Sequence, residues 1–165
     1  MKIYIHRVVI AIAAVMIGAL GPLAIAAQED GSAGNNLAGV WEAIGVPPES
    51  DCKTGDPIGA PINISYTFHQ GGTMYQEDTL SIDRYRTTGS GLWKRTSGKN
   101  YTYLFFHYAF DPTGTFIFTV KGRSNLKLST DNNSLTERGT FDLIDPTGSI
   151  VYTGCFDGTS HRVTF

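Results

Sequence analysis

The stretch from Gly89 to Arg123 reads GSGLWKRTSGKNYTYLFFHYAFDPTGTFIFTVKGR, and its pattern sets the fold class. Tyr101 to Phe110 is rich in aromatics, poor in helix formers and bounded by turn residues, which is the composition of a strand. In Asp111-Pro112-Thr113-Gly114, Pro presets φ at the second turn position and Gly supplies a positive φ at the fourth, so the chain reverses. Thr115 to Arg123 returns as the partner strand. With an even loop, Ala109, His107, Phe105 and Tyr103 fall opposite Phe116, Phe118, Val120 and Gly122 on one face. The other face of the return strand carries Ile117, Thr119, Lys121 and Arg123. The uncharged face therefore points inward and places His107 among aromatics. Leu104, Phe106 and Tyr108 stay outside, more apolar surface than a solvated strand usually shows.

The rest of the chain repeats this unit. Leu37 to Glu42 opens a first strand, and a Gly- and Pro-rich connection runs from Gly45 through Cys52 to Pro61. Ile62 to Gln70 alternates cleanly, with Ile62, Ile64, Tyr66 and Phe68 on one face. Read as a two-residue turn, Gly71-Gly72 places Tyr75, Glu77, Thr79 and Ser81 inward. Asp83 to Ser90 is a polar connection carrying Arg84 and Arg86. An odd turn over Ser97 to Asn100 brings Trp93 inward opposite Tyr103 and an even one turns it out; the area a Trp buries favours inward. Leu126 to Thr130 reads as a short strand. Leu135 to Ile144 meets Ser149 to Phe156 through a second Asp-Pro-Thr-Gly, with Phe141, Leu143, Ile150 and Tyr152 inward and Arg138, Val151 and Cys155 outward. His161 to Phe165 reads as a final strand. No stretch after the N-terminal region has a sustained helical period. About eight to ten antiparallel strands with one apolar face each close most simply as an all-β up-and-down barrel, which leaves no exposed edge; a two-sheet sandwich is the alternative.

Residues 1–26 have the form of a cleaved signal peptide: Lys2, His6 and Arg7, then the apolar run Val8 to Leu23, then Ala24-Ile25-Ala26. The run is short and broken by Gly21 and Pro22, which argues against a stable membrane anchor. Residues 27–36 form a polar, Gly-rich leader, and residues 37–165 make one domain. The chain has 13 Lys and Arg against 15 Asp and Glu, and loss of Lys2 and Arg7 leaves the remainder more acidic. That balance, without a basic run, argues against nucleic acid as a partner. The two cysteines, Cys52 and Cys155, both follow the leader, so a disulfide is the default for a secreted or periplasmic chain, with two reduced thiols the alternative.

Gly39-Val40-Trp41 near the first strand, the strand meander and Arg162 near the C-terminus resemble the lipocalin, or wider calycin, pattern. The segments GLWKRTSGKNYTY and DPTGSIVYTGC are similar to a group of small, uncharacterised, exported bacterial proteins. The resemblance implies a lipocalin-like barrel in which Arg162 packs over Trp41 at the closed end, a structural cation–π contact. It implies no activity.

His107 and Glu77 are the inward ionisable pair of the two main hairpins. With Tyr66, Tyr75, Tyr103, Phe105 and Phe118 they would line a site for a small, partly apolar molecule. In a filled barrel the two would instead satisfy each other. As an acid/base pair they would suit a barrel isomerase or cyclase. The sequence contains no nucleophile-elbow serine and no two metal ligands spaced along a shared face, so neither a catalytic residue, a metal nor a cofactor is assigned. The outward Leu104, Phe106 and Tyr108 suggest a homodimer or partner surface, or a face covered by the Pro47–Pro61 loop.

Overall fold

A computed structural model describes residues 37–79 and 85–165. The expected signal peptide over 1–26 and leader over 27–36, and the positions of Ser81 and Arg84, lie outside the described residues. Eleven strands follow in chain order: β1 (Gly39–Val46), β2 (Glu49–Ser50), β3 (Pro57–Ile58), β4 (Ile62–Phe68), β5 (Thr73–Asp78), β6 (Tyr85–Arg86), β7 (Gly89–Ser97), β8 (Asn100–Phe110), β9 (Phe116–Leu128), β10 (Ser134–Ile144) and β11 (Ile150–Arg162). Eight of them, β1, β4, β5, β7, β8, β9, β10 and β11, form a closed antiparallel up-and-down barrel, sealed where β1 pairs with β11. β2 and β3 lie outside it, and β6 carries the line of β7 further along β8. Closure gives every long strand two neighbours, so none presents a free edge.

The barrel's eight strands lie within the expected eight to ten, and two of them run longer than the hydrophobic pattern suggests. The strands expected at Thr115–Arg123 and Leu126–Thr130 are one continuous β9, and those at Ser149–Phe156 and His161–Phe165 belong to one β11 that ends at Arg162. The apolar signal lapses because small residues, Ser124, Gly158 and Ser160, take inward positions while the ladder runs on.

The β8–β9 hairpin has the expected faces, with the pairing displaced by two residues. Ala109 lies opposite Phe118, His107 opposite Val120, and Phe105 opposite Gly122, because the register shifts between Ala109 and Phe110. Its turn is held by its own aspartate. Asp111 Oδ1 accepts from the Thr113 amide at 2.8 Å, the Thr115 amide at 2.9 Å and the Thr113 hydroxyl at 2.6 Å. Asp145 repeats the set with Thr147 and Ser149 in the β10–β11 turn. These bonds hold both carboxyls below the usual aspartate range.

The β4–β5 turn differs from expectation. The His69 amide donates to the Thr73 carbonyl at 2.9 Å, which leaves Gln70, Gly71 and Gly72 as a three-residue turn, and Phe68 pairs with Met74. One extra turn residue moves the whole strand to the other face. Met74, Gln76 and Asp78 therefore point inward, and Tyr75 and Glu77 point outward. Tyr75 packs edge-on against His69, ring centroids 5.2 Å apart. Trp93 lies opposite Tyr103 on the inner side, and its Nε1 donates to the His69 carbonyl at 3.0 Å.

One end of the barrel is filled. Leu37, Trp41, Phe68, Met74, Leu126, Leu128 and Leu135 are buried there in a single cluster. Trp41 Nε1 donates to the Leu37 carbonyl at 2.9 Å. The Arg162 guanidinium carbon sits 4.2 Å from the Trp41 ring centroid. Arg162 also donates to the Ala38 carbonyl at 2.8 Å and the Asn132 carbonyl at 2.9 Å. Gly39 is required by this contact: its φ is +139°, and a Cβ there would lie 2.5 Å from Arg162 Nη1. The Gly-x-Trp triplet thus has a physical reading. Glycine lets the arginine through, and the tryptophan receives it.

Cys52 and Cys155 form a disulfide that joins positions 103 residues apart. Replacing Arg162 by Leu removes the cation–π contact and two hydrogen bonds to main-chain carbonyls. Urea denaturation is expected to show a loss of roughly 2–4 kcal/mol. A change under about 0.5 kcal/mol, the range of an ordinary surface substitution, would contradict this account of the closed end.

Candidate functional site

Away from Trp41 the inward residues no longer meet across the barrel. The inward positions of β7 at Gly89 and Gly91 carry no side chain, and three rings lie back against the wall over glycines. Phe105 covers Gly122, Phe156 covers Gly139 and Phe141 covers Gly154; a Cβ at those glycines would fall 2.1, 2.5 and 2.5 Å from ring carbons. The centre is left as a cavity of about 290 Å³, walled by Ile62, Ile64, Phe105, Val120, Phe141 and Phe156. That is near the small end of the roughly 300–1,000 Å³ typical of ligand pockets.

The floor is polar. Glu137, inward on β10 and 7% exposed, accepts from Tyr66 Oη on β4 at 2.7 Å and from Tyr103 Oη on β8 at 2.6 Å. Burial pushes the Glu137 carboxyl up, while the hydrogen bonds from Tyr103 and Tyr66 pull it the other way. Both phenols are raised well above their ordinary value by burial and then by Glu137, so they remain donors. Each hydrogen bond to a charged acceptor of this kind contributes about 1.5–3 kcal/mol.

A flap shapes the mouth. β1 pairs with β11 only at Trp41 and Glu42; a register shift then separates Ala43 from Val46, with Gly45 at φ +66°. In the place β1 leaves, β11 pairs with Ser50 of β2 through Cys155. Val46, Pro47, Pro48, Glu49 and Ile58 thereby become part of the cavity wall. The disulfide fastens the flap to the outer side of β11, and Tyr152 Oη donates to Glu49 at the rim.

A second polar group lines the wall. Arg86, its side chain 8% exposed, lies 3.3 Å from Asp78 Oδ2 and 3.4 Å from Glu77 Oε2. Its Nη1 is 3.2 Å from His107 Nδ1. A guanidinium can only donate, so Nδ1 accepts and the His107 proton resides on Nε2. Burial and the Arg86 charge hold the His107 pKa down to about 4, and the ring is neutral at neutral pH. Gln76, 7% exposed, also lines the cavity. Its Oε1 is buried without a hydrogen-bond partner.

Of the residues read from the sequence as a site, Tyr66, Phe105 and His107 line the cavity. Tyr103 supports its floor, and Phe118 lies on the inward face beside Ala109, near the start of β9 and outside the cavity wall. Tyr75 and Glu77 are outside the barrel. The expected His107–Glu77 pair is not assembled; each reaches Arg86 from its own side. Glu137, Gln76, Asp78 and Arg86 take part instead. Glu137 was readable by alternation, since Arg138 was expected to face out. Gln76 and Asp78 hung on the length of one turn. Among the described residues no group of three His, Cys, Asp or Glu is placed to hold a metal ion. Compared with known proteins, the chain matches no family model, no curated protein and no solved structure.

Two expectations follow for the buried groups. Glu137→Leu strands two buried phenol hydroxyls and should cost roughly 2–5 kcal/mol in denaturant unfolding, whereas the triple change with Tyr66→Phe and Tyr103→Phe recovers most of it. A neutral Glu137→Leu would show that the floor is not held this way. For His107, the folded pKa near 4 lies below the ordinary 6.5, so in that window the unfolded chain binds the proton and the folded one does not. This contribution is present above pH 6.5 and is lost as pH falls towards 4, by up to roughly 3 kcal/mol. Glu137, raised in the folded state, has the opposite slope. The comparison of wild type with His107→Gln across that window isolates the histidine, and identical pH slopes would refute its assignment as buried and neutral.

Proposed function

We propose that the chain is an exported, lipocalin-like barrel that binds a small, partly apolar molecule in its open half without transforming it. The observation that carries this reading is the cavity of about 290 Å³ with apolar and aromatic walls and few polar groups, the usual character of a small-molecule site. A barrel that served only as a scaffold has no need to press three aromatic rings over glycines and leave its centre open. The lipocalin-like assignment is supported by the closed eight-strand meander and by Arg162 stacked on Trp41. Export is supported by the disulfide, a bond that persists in oxidising compartments, and by the signal-like pattern of residues 1–26.

A second reading, self-association or partner binding, is favoured by one observation. Leu104, Phe106 and Tyr108 are exposed on the outer face of β8, and the flap that was a candidate to cover them runs along β11 instead.

Native mass spectrometry of the protein, purified without denaturation from its own host, tests the first reading. The account expects a small-molecule adduct that is lost on unfolding and is absent from a folded Val120→Trp variant, whose indole fills the cavity. An adduct carried equally by both proteins, or wild type free of any, would count against binding in the barrel.

A further inference from the structure

The outer wall of the barrel is charged unevenly. On β7, β8, β9 and β10 the outward positions hold Lys94, Lys121, Arg123, Lys127 and Arg138, all exposed, against one carboxylate, Asp142. Asp142 Oδ1 accepts from the Thr153 hydroxyl at 2.6 Å, and among the described residues no salt bridge engages any of the five cations. On the other side of the barrel, β1, β4 and β5 carry no Lys or Arg, and Glu42 and Glu77 are exposed there. The cations flank an apolar strip. Leu92 lies opposite Leu104, Leu104 opposite Arg123, and Phe106 opposite Lys121. Leu92, Leu104, Phe106 and Tyr108 are all exposed, and the Phe106 and Tyr108 rings meet edge to face with centroids 5.8 Å apart. Beside them an open groove of about 370 Å³ is lined by Phe106, Tyr108, Thr119, Lys121 and Ile144, so an ammonium borders an otherwise largely apolar hollow.

We propose that this face docks on a membrane surface of anionic phospholipid, with Lys94, Lys121 and Arg123 at the phosphates and Leu104, Phe106 and Tyr108 at the edge of the acyl layer. This rests on the reading of the outer face as a partner surface and names the partner. A lipid interface suits both halves of the pattern. Lys and Arg lay their stems along apolar surface while their charged heads reach anions and water, and exposed rings settle at the headgroup level. An interface with another protein suits it less, because lysine is depleted where proteins meet. Nucleic acid offers phosphates but no apolar layer for Leu92 and Leu104. The chain as a whole has a formal charge of −2, so attraction to an anionic surface is a property of this face alone. Its acidic opposite side turns away, and the uneven charge orients the barrel as it approaches.

Flotation of the purified protein with vesicles of phosphatidylcholine, alone and mixed with phosphatidylglycerol, tests the proposal. The protein is expected to float with the mixed vesicles and not with phosphatidylcholine alone, and to be released as salt is raised and the surface charges are screened. Lys121→Gln combined with Arg123→Gln should weaken binding about tenfold or more, the effect of two charges lost beside an anionic surface. Phe106→Ser should weaken it at unchanged charge. These side chains are exposed, so thermal midpoints close to wild type are expected for both variants. Val120→Trp, which fills the cavity, should float as wild type does, which separates this face from any ligand in the barrel. Equal flotation with both kinds of vesicle, or a charge variant that floats like wild type, overturns the proposal. Tighter binding to a single-stranded oligonucleotide than to the mixed vesicles overturns it in favour of nucleic acid. A protein that does not float but is dimeric by light scattering, with the dimer lost in Phe106→Ser, overturns the lipid partner and keeps the partner-surface reading. A monomer that does not float overturns the proposal and leaves that reading unsupported.

Discussion

A single carboxylate divides the interior of this barrel. Glu137 sits between the filled and the open half, gripped by hydroxyls that arrive from two other strands, Tyr66 on β4 and Tyr103 on β8. Burying a charge among aromatics is costly unless its lone pairs are occupied, so the two phenols and the carboxylate require one another. The triad links three strands across the lumen and sets how deep anything entering from the mouth can go. On one side of it the core closes over Trp41 and Arg162. On the other the side chains stop meeting.

What keeps the open half open is geometry at the wall. Phe105, Phe141 and Phe156 have the volume to fill a barrel of this width, yet each lies over a glycine on a neighbouring strand. Aromatic rings folded onto strand glycines restore the burial that the glycines lack. The same arrangement lines a cavity with π faces. The flap completes the enclosure where β1 swings away from β11, and its disulfide adds a covalent bond to the short pairing of β2 with β11.

Much of the fold was legible in the sequence because alternation and turn chemistry agree over long hairpins. The aromatic run of β8 and both Asp-Pro-Thr-Gly turns could be read from local pattern, the inward Trp93 from the area a Trp buries, and the Cys52–Cys155 bond from the presence of two cysteines after the leader. The site was less legible, for two physical reasons. Strand faces have a period of two, so a turn of three residues at Gln70–Gly72 in place of Gly71-Gly72 exchanged Tyr75 and Glu77 for Gln76 and Asp78. Arg86 lies on a two-residue strand whose inward reach depends on the break before β7, and nothing in the composition of Tyr85-Arg86 encodes that break. β9 and β11 each read as two strands, broken near Ser124 and Gly158, where the barrel needs small inward residues and the hydrophobic signal disappears.

The division of the barrel is open to direct observation by methyl-labelled NMR of the protein under xenon, a probe that enters apolar cavities and leaves filled cores alone. Shifts confined to Ile62, Ile64, Val120 and Leu143, which line the open half, with none at Leu126, Leu128 and Leu135 in the filled half, are the predicted result. Absence of any shift, or shifts at the three buried leucines, would contradict a barrel that is packed on one side of Glu137 and hollow on the other.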